Sequence, residues 1–204
     1  MTEPIRTFPR PPLPRAFLGV IAVCVAVQLL MLVPAWDEWA MLHGALWPQL
    51  LGDVRPMFPG QQVTMFLTYG FLHGGLLHLG MNMLALYVLA RSLSLAMSGP
   101  AMVVLYVVAQ VAAGIVQLAL SDSPLPVVGA SGAIFGLAGA EIAIAARIQL
   151  GKGGSLRPLA GPVLQFVLLN VLLTLAVPNI AWQAHLGGAF AGLMMGSLYR
   201  PRLR

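Results

Sequence analysis

From residue 16 to residue 199 the chain is a succession of apolar runs separated by interruptions too short to be domains of their own. The runs lie at about 16–33, 65–90, 101–120, 131–146, 158–177 and 180–199. In helical form about 20 such residues cross a hydrocarbon core roughly 30 Å thick. A helix also satisfies its own backbone groups where no water can do so. With 59% hydrophobic and only 8% charged residues, the chain cannot be solubilised as a globular domain in water. The expected fold is therefore all-α, a polytopic membrane protein of six transmembrane helices. The last two runs are split only by Pro178 and Asn179. The first could be a signal peptide ending near Val33-Pro34-Ala35, but its apolar length exceeds the roughly 7 to 15 residues of such a core. It is read as a retained span.

Charge gives the orientation. Ten of the eleven Lys and Arg residues fall on the side of the six-span arrangement that carries both termini: Arg6, Arg10, Arg15, Arg91, Arg147, Lys152, Arg157, Arg200, Arg202 and Arg204. Only Arg55 falls on the other side. Basic residues mark the cytosolic side, so both termini are expected in the cytosol. The net charge of +5 is then a matter of topology, and no nucleic-acid partner is implied. Residues 1–15 hold five prolines and three arginines, the composition of a disordered tail. A helical domain over 16–200 and a short cytosolic tail at 201–204 complete the division. Between residues 36 and 62 runs a loop with Trp36, Trp39 and Trp47, a pattern of residues lying at the lipid headgroups. Cys24 is the single cysteine, which excludes an intramolecular disulfide and a cysteine metal site. Gly151 to Ser155 lacks the spacing of a Walker phosphate loop and reads as a flexible linker.

Polar groups inside spans are costly and so mark candidate functional positions. They are His73, His78, Asn82, Ser131, Glu141, Asn170 and His185. Ser131 lies between Gly129 and Gly132 at the start of the fourth run, where helix N-terminal N–H groups favour negative charge. The competing reading of that stretch is a seam of small residues between packed helices. His78 and Asn82, four apart, share one helix face. His73, five before His78, is expected about 140° round the same helix. Gly188, Gly192 and Gly196 form a ridge that lets the sixth helix pack closely on a neighbour.

At the helical rise, Ser131 stands about 24 Å above Arg147, His185 about 22 Å above Arg200 and His78 about 20 Å above Arg91. The three residues share a depth on three different helices. A serine, a histidine able to take its proton, and donors able to hold an oxyanion are the components of acyl transfer. Glu141 lies about 15 Å further down its helix, so no acid stands at this depth and the reading is a Ser131–His185 dyad. Competing with it are histidines acting as haem or metal ligands and His78–Asn82 as a purely structural pair.

Phe71-Leu72-His73-Gly74-Gly75, His78 to Met83, Gly129-Ala130-Ser131-Gly132 and Ala184-His185-Leu186-Gly187-Gly188 together resemble the rhomboid intramembrane serine proteases. The resemblance implies a six-helix rhomboid bundle. It makes Ser131 the nucleophile and His185 the base, with His78, Asn82 and the Ser131 backbone supporting the oxyanion. It implies no cofactor and no metal. The implied partners are membrane lipids and transmembrane protein substrates, single-span proteins cut within their spans; the expected location is a bacterial inner membrane. A catalytically inactive relative that binds transmembrane helices is the alternative. One departure stands out: many members carry Trp-Arg shortly before the second span, where this chain has Thr64-Met65, which bears on the structure of the first loop. Neither the substrate's identity nor the oligomeric state can be read from the residues.

Overall fold

The computed structural model describes residues 13–52, 54–176 and 180–201. Its helices are α1 (Arg15–Leu30), α2 (Pro34–Gly44), α3 (Gln61–Thr68), α4 (Leu76–Leu93), α5 (Gly99–Leu120), α6 (Ser131–Gly151), α7 (Arg157–Ala176) and α8 (Trp182–Leu198). Among the described residues, two short 3-10 turns, Pro48–Leu51 and Tyr69–Phe71, accompany them. Most of the tail expected over 1–15, most of that over 201–204, and the Pro178–Asn179 boundary lie outside the described residues. Among the described residues, α4, α5 and α6 combine the length and apolarity needed to cross a membrane. Their outward faces suit lipid: Leu77 is 79% exposed, and Leu84, Val104 and Ile115 are exposed with it.

The second apolar run is not one helix. The structure breaks 65–90 into α3, the Tyr69–Phe71 turn and an irregular stretch, and α4 begins only at Leu76. Gly75 causes the break, because it holds φ at 121°, a backbone angle that side-chain-bearing residues rarely adopt. Met65 and Tyr69 instead turn inward and pack with Leu46 and Leu50 of the first loop. Thr64 bonds its hydroxyl back to the Gly60 carbonyl at 3.3 Å. The Thr64-Met65 pair thus belongs to a small amphipathic helix seated on an apolar cluster. A two-way bridge, Leu46 N–H to Val127 O and Val127 N–H to Leu46 O, both 3.0 Å, ties the same loop to the segment just before Ser131. Trp36 and Trp39 project from α2, about half exposed.

α6 is the centre of the molecule, wedged between α5 and α8. Methyl groups placed on Gly132 and Gly136 would collide with Ala113 and Ala109 of α5. On the other side, a methyl on Gly188 would meet the Gly132 carbonyl, one on Gly192 the Gly136 carbonyl, and one on Gly196 the Ala140 backbone at 2.7 Å. The glycine ridge read from the sequence is therefore a line of backbone-to-backbone contact, the geometry that small residues permit between membrane helices. Each step of four along α8 matches a step of four along α6 in the same direction. The two helices run parallel, and their N-terminal ends come to one level. That register, more than any single contact, decides what stands beside Ser131.

A second apolar cluster fills the space between α1, α4, α5 and α6, with Phe17, Cys24, Leu86, Met102, Leu105 and Leu137 buried in it. Glu141, a candidate from the sequence, lies on this side and accepts a hydrogen bond from the Ser92 hydroxyl of α4. It pins α4 to α6 well away from the serine.

Candidate active site

Ser131 is the first residue of α6 and His185 sits in the first turn of α8. The parallel register brings them together, with His185 Nε2 2.9 Å from Ser131 Oγ. The imidazole is buried, and Phe135, one turn below Ser131, stacks on it with ring centroids 4.2 Å apart and planes 7° from parallel. Its other nitrogen, Nδ1, lies 2.8 Å from Asn170 Oδ1 of α7. Both ring nitrogens are thus engaged, and the ring plane is held by an aromatic face. Phe166 of α7 packs on Phe135 in turn, centroids 4.8 Å apart.

His78 approaches from α4. The Gly74 N–H donates to its Nδ1 at 3.2 Å, so a neutral imidazole carries its proton on Nε2. That nitrogen points toward Gly129, whose φ of 128° only glycine adopts with ease. A methyl on Gly129 would lie 3.1 Å from His78 Nε2 and 3.7 Å from Ser131 Oγ. The missing side chain leaves a short gap flanked by the serine oxygen on one side and an N–H donor on the other. Asn82, one turn further along α4, is buried and donates one amide N–H to the His78 carbonyl at 3.0 Å. The amide has a second N–H to offer. At the head of α6, the Ser131 N–H has no acceptor within its own helix.

His73 departs from expectation. It is on no helix with His78: the break at Gly75 folds it back so that the two rings meet edge to face, centroids 5.2 Å apart. It is 1% exposed, and among the described residues neither of its ring nitrogens meets a partner at full hydrogen-bond geometry.

Two residues that hold the site together escaped the sequence reading, and a third was only half read. Asn170 stood among the intramembrane polar residues but was given no partner. Gln110 and Gln117, two turns apart on α5, were not singled out, although two amides in a 22-residue apolar helix are costly and so informative. Each caps a helix of the site from outside. Gln110 Oε1 accepts from the Ala133 N–H at 3.1 Å and its Nε2 donates to the Gly129 carbonyl at 3.3 Å, while Gln117 Oε1 accepts from the Ala184 N–H at 3.2 Å. The first holds both sides of the Ser131 turn, and the second holds the start of α8 just before His185. Gly70 is small because a methyl there would meet the Gln110 amide at 2.6 Å. Gln110→Leu leaves a buried N–H and a buried C=O without partners. A loss of about 2 kcal/mol or more is expected, together with slower turnover, measured by melting and by cleavage of a model substrate.

Serine against histidine at the heads of two parallel helices, with a histidine donor across a glycine gap, is a specific constellation. The family model of the rhomboid domain matches residues 60–202, most of the chain. The chain belongs to the rhomboid family. The rhomboid match spans every group just described, from α3 to α8. Relatives include human Rhomboid-related protein 3, 28% identical over 70% of this chain. Rhomboid protease GluP of Bacillus subtilis is 31% identical over 62% of it, and RHOMBOID-like protein 5 of Arabidopsis thaliana is 33% identical over 65%. The matched parts make up 39%, 24% and 43% of those proteins' own length, so this chain spans less than half of each. The rhomboid chain is an integral membrane protein with a helical membrane fold.

Proposed function

We propose that this rhomboid is an intramembrane serine endopeptidase that cuts single-span membrane proteins. The observation that carries the reading is the 2.9 Å approach of His185 Nε2 to Ser131 Oγ. Ser131 Oγ attacks the scissile carbonyl carbon, and its proton passes to His185 Nε2. The carbonyl oxygen becomes an oxyanion, held by His78 Nε2–H, the Ser131 N–H and the free Asn82 amide N–H. Collapse of this intermediate breaks the C–N bond. The leaving amine takes the proton from His185, and the acyl group stays on Ser131 as an ester. Water, deprotonated by His185, then attacks the ester carbonyl; the C–O bond to Ser131 breaks, His185 returns the proton to Ser131 Oγ, and the carboxylic acid product leaves. GluP, a relative at 31% identity, bears the name of a protease.

Six crossings in a bacterial inner membrane complete the proposed arrangement; both termini in the cytosol and the 36–62 loop outside follow the ten-to-one division of basic residues. Membrane lipids surround the bundle, and transmembrane proteins are the substrates. Ser131 then lies in the outer half of the bilayer, and hydrolysis requires that water reach it from that side. A substrate must bring extended backbone to it, because a helix keeps its carbonyls bonded. A single-span reporter with Gly and Pro near the outer end of its span is expected to be cut, releasing its outer domain to the medium. A uniform poly-Leu span is expected to stay intact. Equal cutting of both, or release of the domain on the cytosolic side, contradicts the proposal.

A further inference from the structure

A neutral imidazole carries one proton, and its position decides whether His185 can act as a base. If the proton sits on Nε2, it faces Ser131 Oγ and the ring cannot accept the serine proton. If it sits on Nδ1, the Nε2 lone pair faces the hydroxyl. Serine is no guide to this choice, because a hydroxyl both donates and accepts. The choice therefore rests on what faces Nδ1, and the group within reach is the side-chain carbonyl of Asn170, 2.8 Å away. Asn170 comes from α7, a helix whose Leu164, Val167, Leu168, Val171, Leu172 and Leu175 are exposed. A polar residue on so apolar a helix is costly without a role, and this one turns inward onto the buried histidine. The Thr174 hydroxyl donates to its main-chain carbonyl at 2.8 Å, so the group that meets His185 is the side-chain amide alone.

We propose that Asn170 is a positioning residue: its carbonyl holds the His185 proton on Nδ1 and so presents the unprotonated Nε2 to Ser131. This rests on the protease reading above and extends the Ser131–His185 pair into a hydrogen-bonded Ser–His–Asn line spanning α6, α8 and α7. Asn170 touches no substrate and exchanges no proton. It biases a tautomer, keeps the ring in line under the stack of Phe135, and offers a carbonyl dipole to the imidazolium that forms during acylation.

The test compares wild type, Asn170→Asp and Asn170→Leu in one detergent, measuring kcat and KM on a model substrate and the labelling of Ser131 by a fluorophosphonate. Asp keeps a carbonyl or carboxylate acceptor and has no N–H to give. Leu keeps the size and removes the acceptor. Asn170→Leu is expected to lose about ten- to a hundredfold in kcat and in labelling rate, with KM within about twofold of wild type. Asn170→Asp is expected to recover most of the rate. An Asn170→Leu kcat within about threefold of wild type overturns the proposal. So does an Asn170→Asp enzyme as slow as Asn170→Leu, which would mean that the amide N–H groups are what His185 needs. A loss confined to KM makes the residue a part of substrate docking instead. Wild type that neither cleaves nor takes the label overturns the protease reading itself, a result distinct from all of these.

Discussion

Ser131→Ala is expected to leave no cleavage above background and no acyl-enzyme, in a protein that melts at the wild-type temperature. The side chain is small and partly exposed, so its removal creates no large cavity, and the bond it makes to His185 is the one lost. His185→Ala should be nearly as inactive, because the serine proton then has no acceptor and the leaving amine no donor. His78→Ala and Asn82→Ala should behave differently. Each removes one donor to an oxygen that is charged only in the transition state, and such a loss typically costs about 10²- to 10³-fold in turnover with nucleophile and base still in place. Cleavage of one substrate by the four variants separates these roles. Equal residual activity in well-folded Ser131→Ala and Asn82→Ala would remove the serine from the mechanism.

The largest structural effect is expected at Gly192. A methyl there would overlap the Gly136 carbonyl, and what must move is helix backbone. Gly192→Val should destabilise the protein by about 3 kcal/mol, the upper part of the range for overpacking, because no side-chain rotation relieves the contact. The same wedge forces α8 away from α6 and widens the Ser131–His185 gap. A displacement near 1 Å costs about 10²-fold in rate, so Gly192→Ala should already be slow at temperatures where it is folded. Gly19→Ala on α1 is the control: nothing lies within 4 Å of the added methyl, and a slight gain from helix propensity is expected. Melting curves and turnover of the three variants check both halves. A Gly192→Val protein as stable and active as Gly19→Ala would mean that α6 and α8 do not pack by backbone contact.

The helical membrane fold was legible because its signal is composition in long runs, which no local detail can disguise. The glycine ridge on α8 was legible because steps of four map onto one helix face. The common depth of Ser131 and His185 could be counted from the basic ends of their helices, and the parallel α6–α8 register supplies its physical cause. The break at Gly74-Gly75 was not legible from hydropathy, since 65–90 is predominantly apolar on both sides of it and the backbone angle of Gly75 is what breaks the run. His73 was misplaced for the same reason: a helical wheel drawn across a break gives a false angle. Asn170 and the two α5 glutamines have partners on other helices, at separations of 15, 23 and 67 residues. Spacing along one helix says nothing about such pairs. What the sequence does show is their cost, and a polar residue in a span has to be assigned a partner even when none is near in the chain.

The central claim is that His185 activates Ser131. The most direct measurement is the rate at which a fluorophosphonate modifies the purified protein, with the adduct located by mass spectrometry. The account predicts an adduct on Ser131 in wild type, none on that helix in Ser131→Ala, and labelling of Ser131 slowed by at least about a hundredfold in His185→Ala. A folded wild type whose Ser131 stays unmodified, or a His185→Ala protein labelled at the wild-type rate, would contradict it.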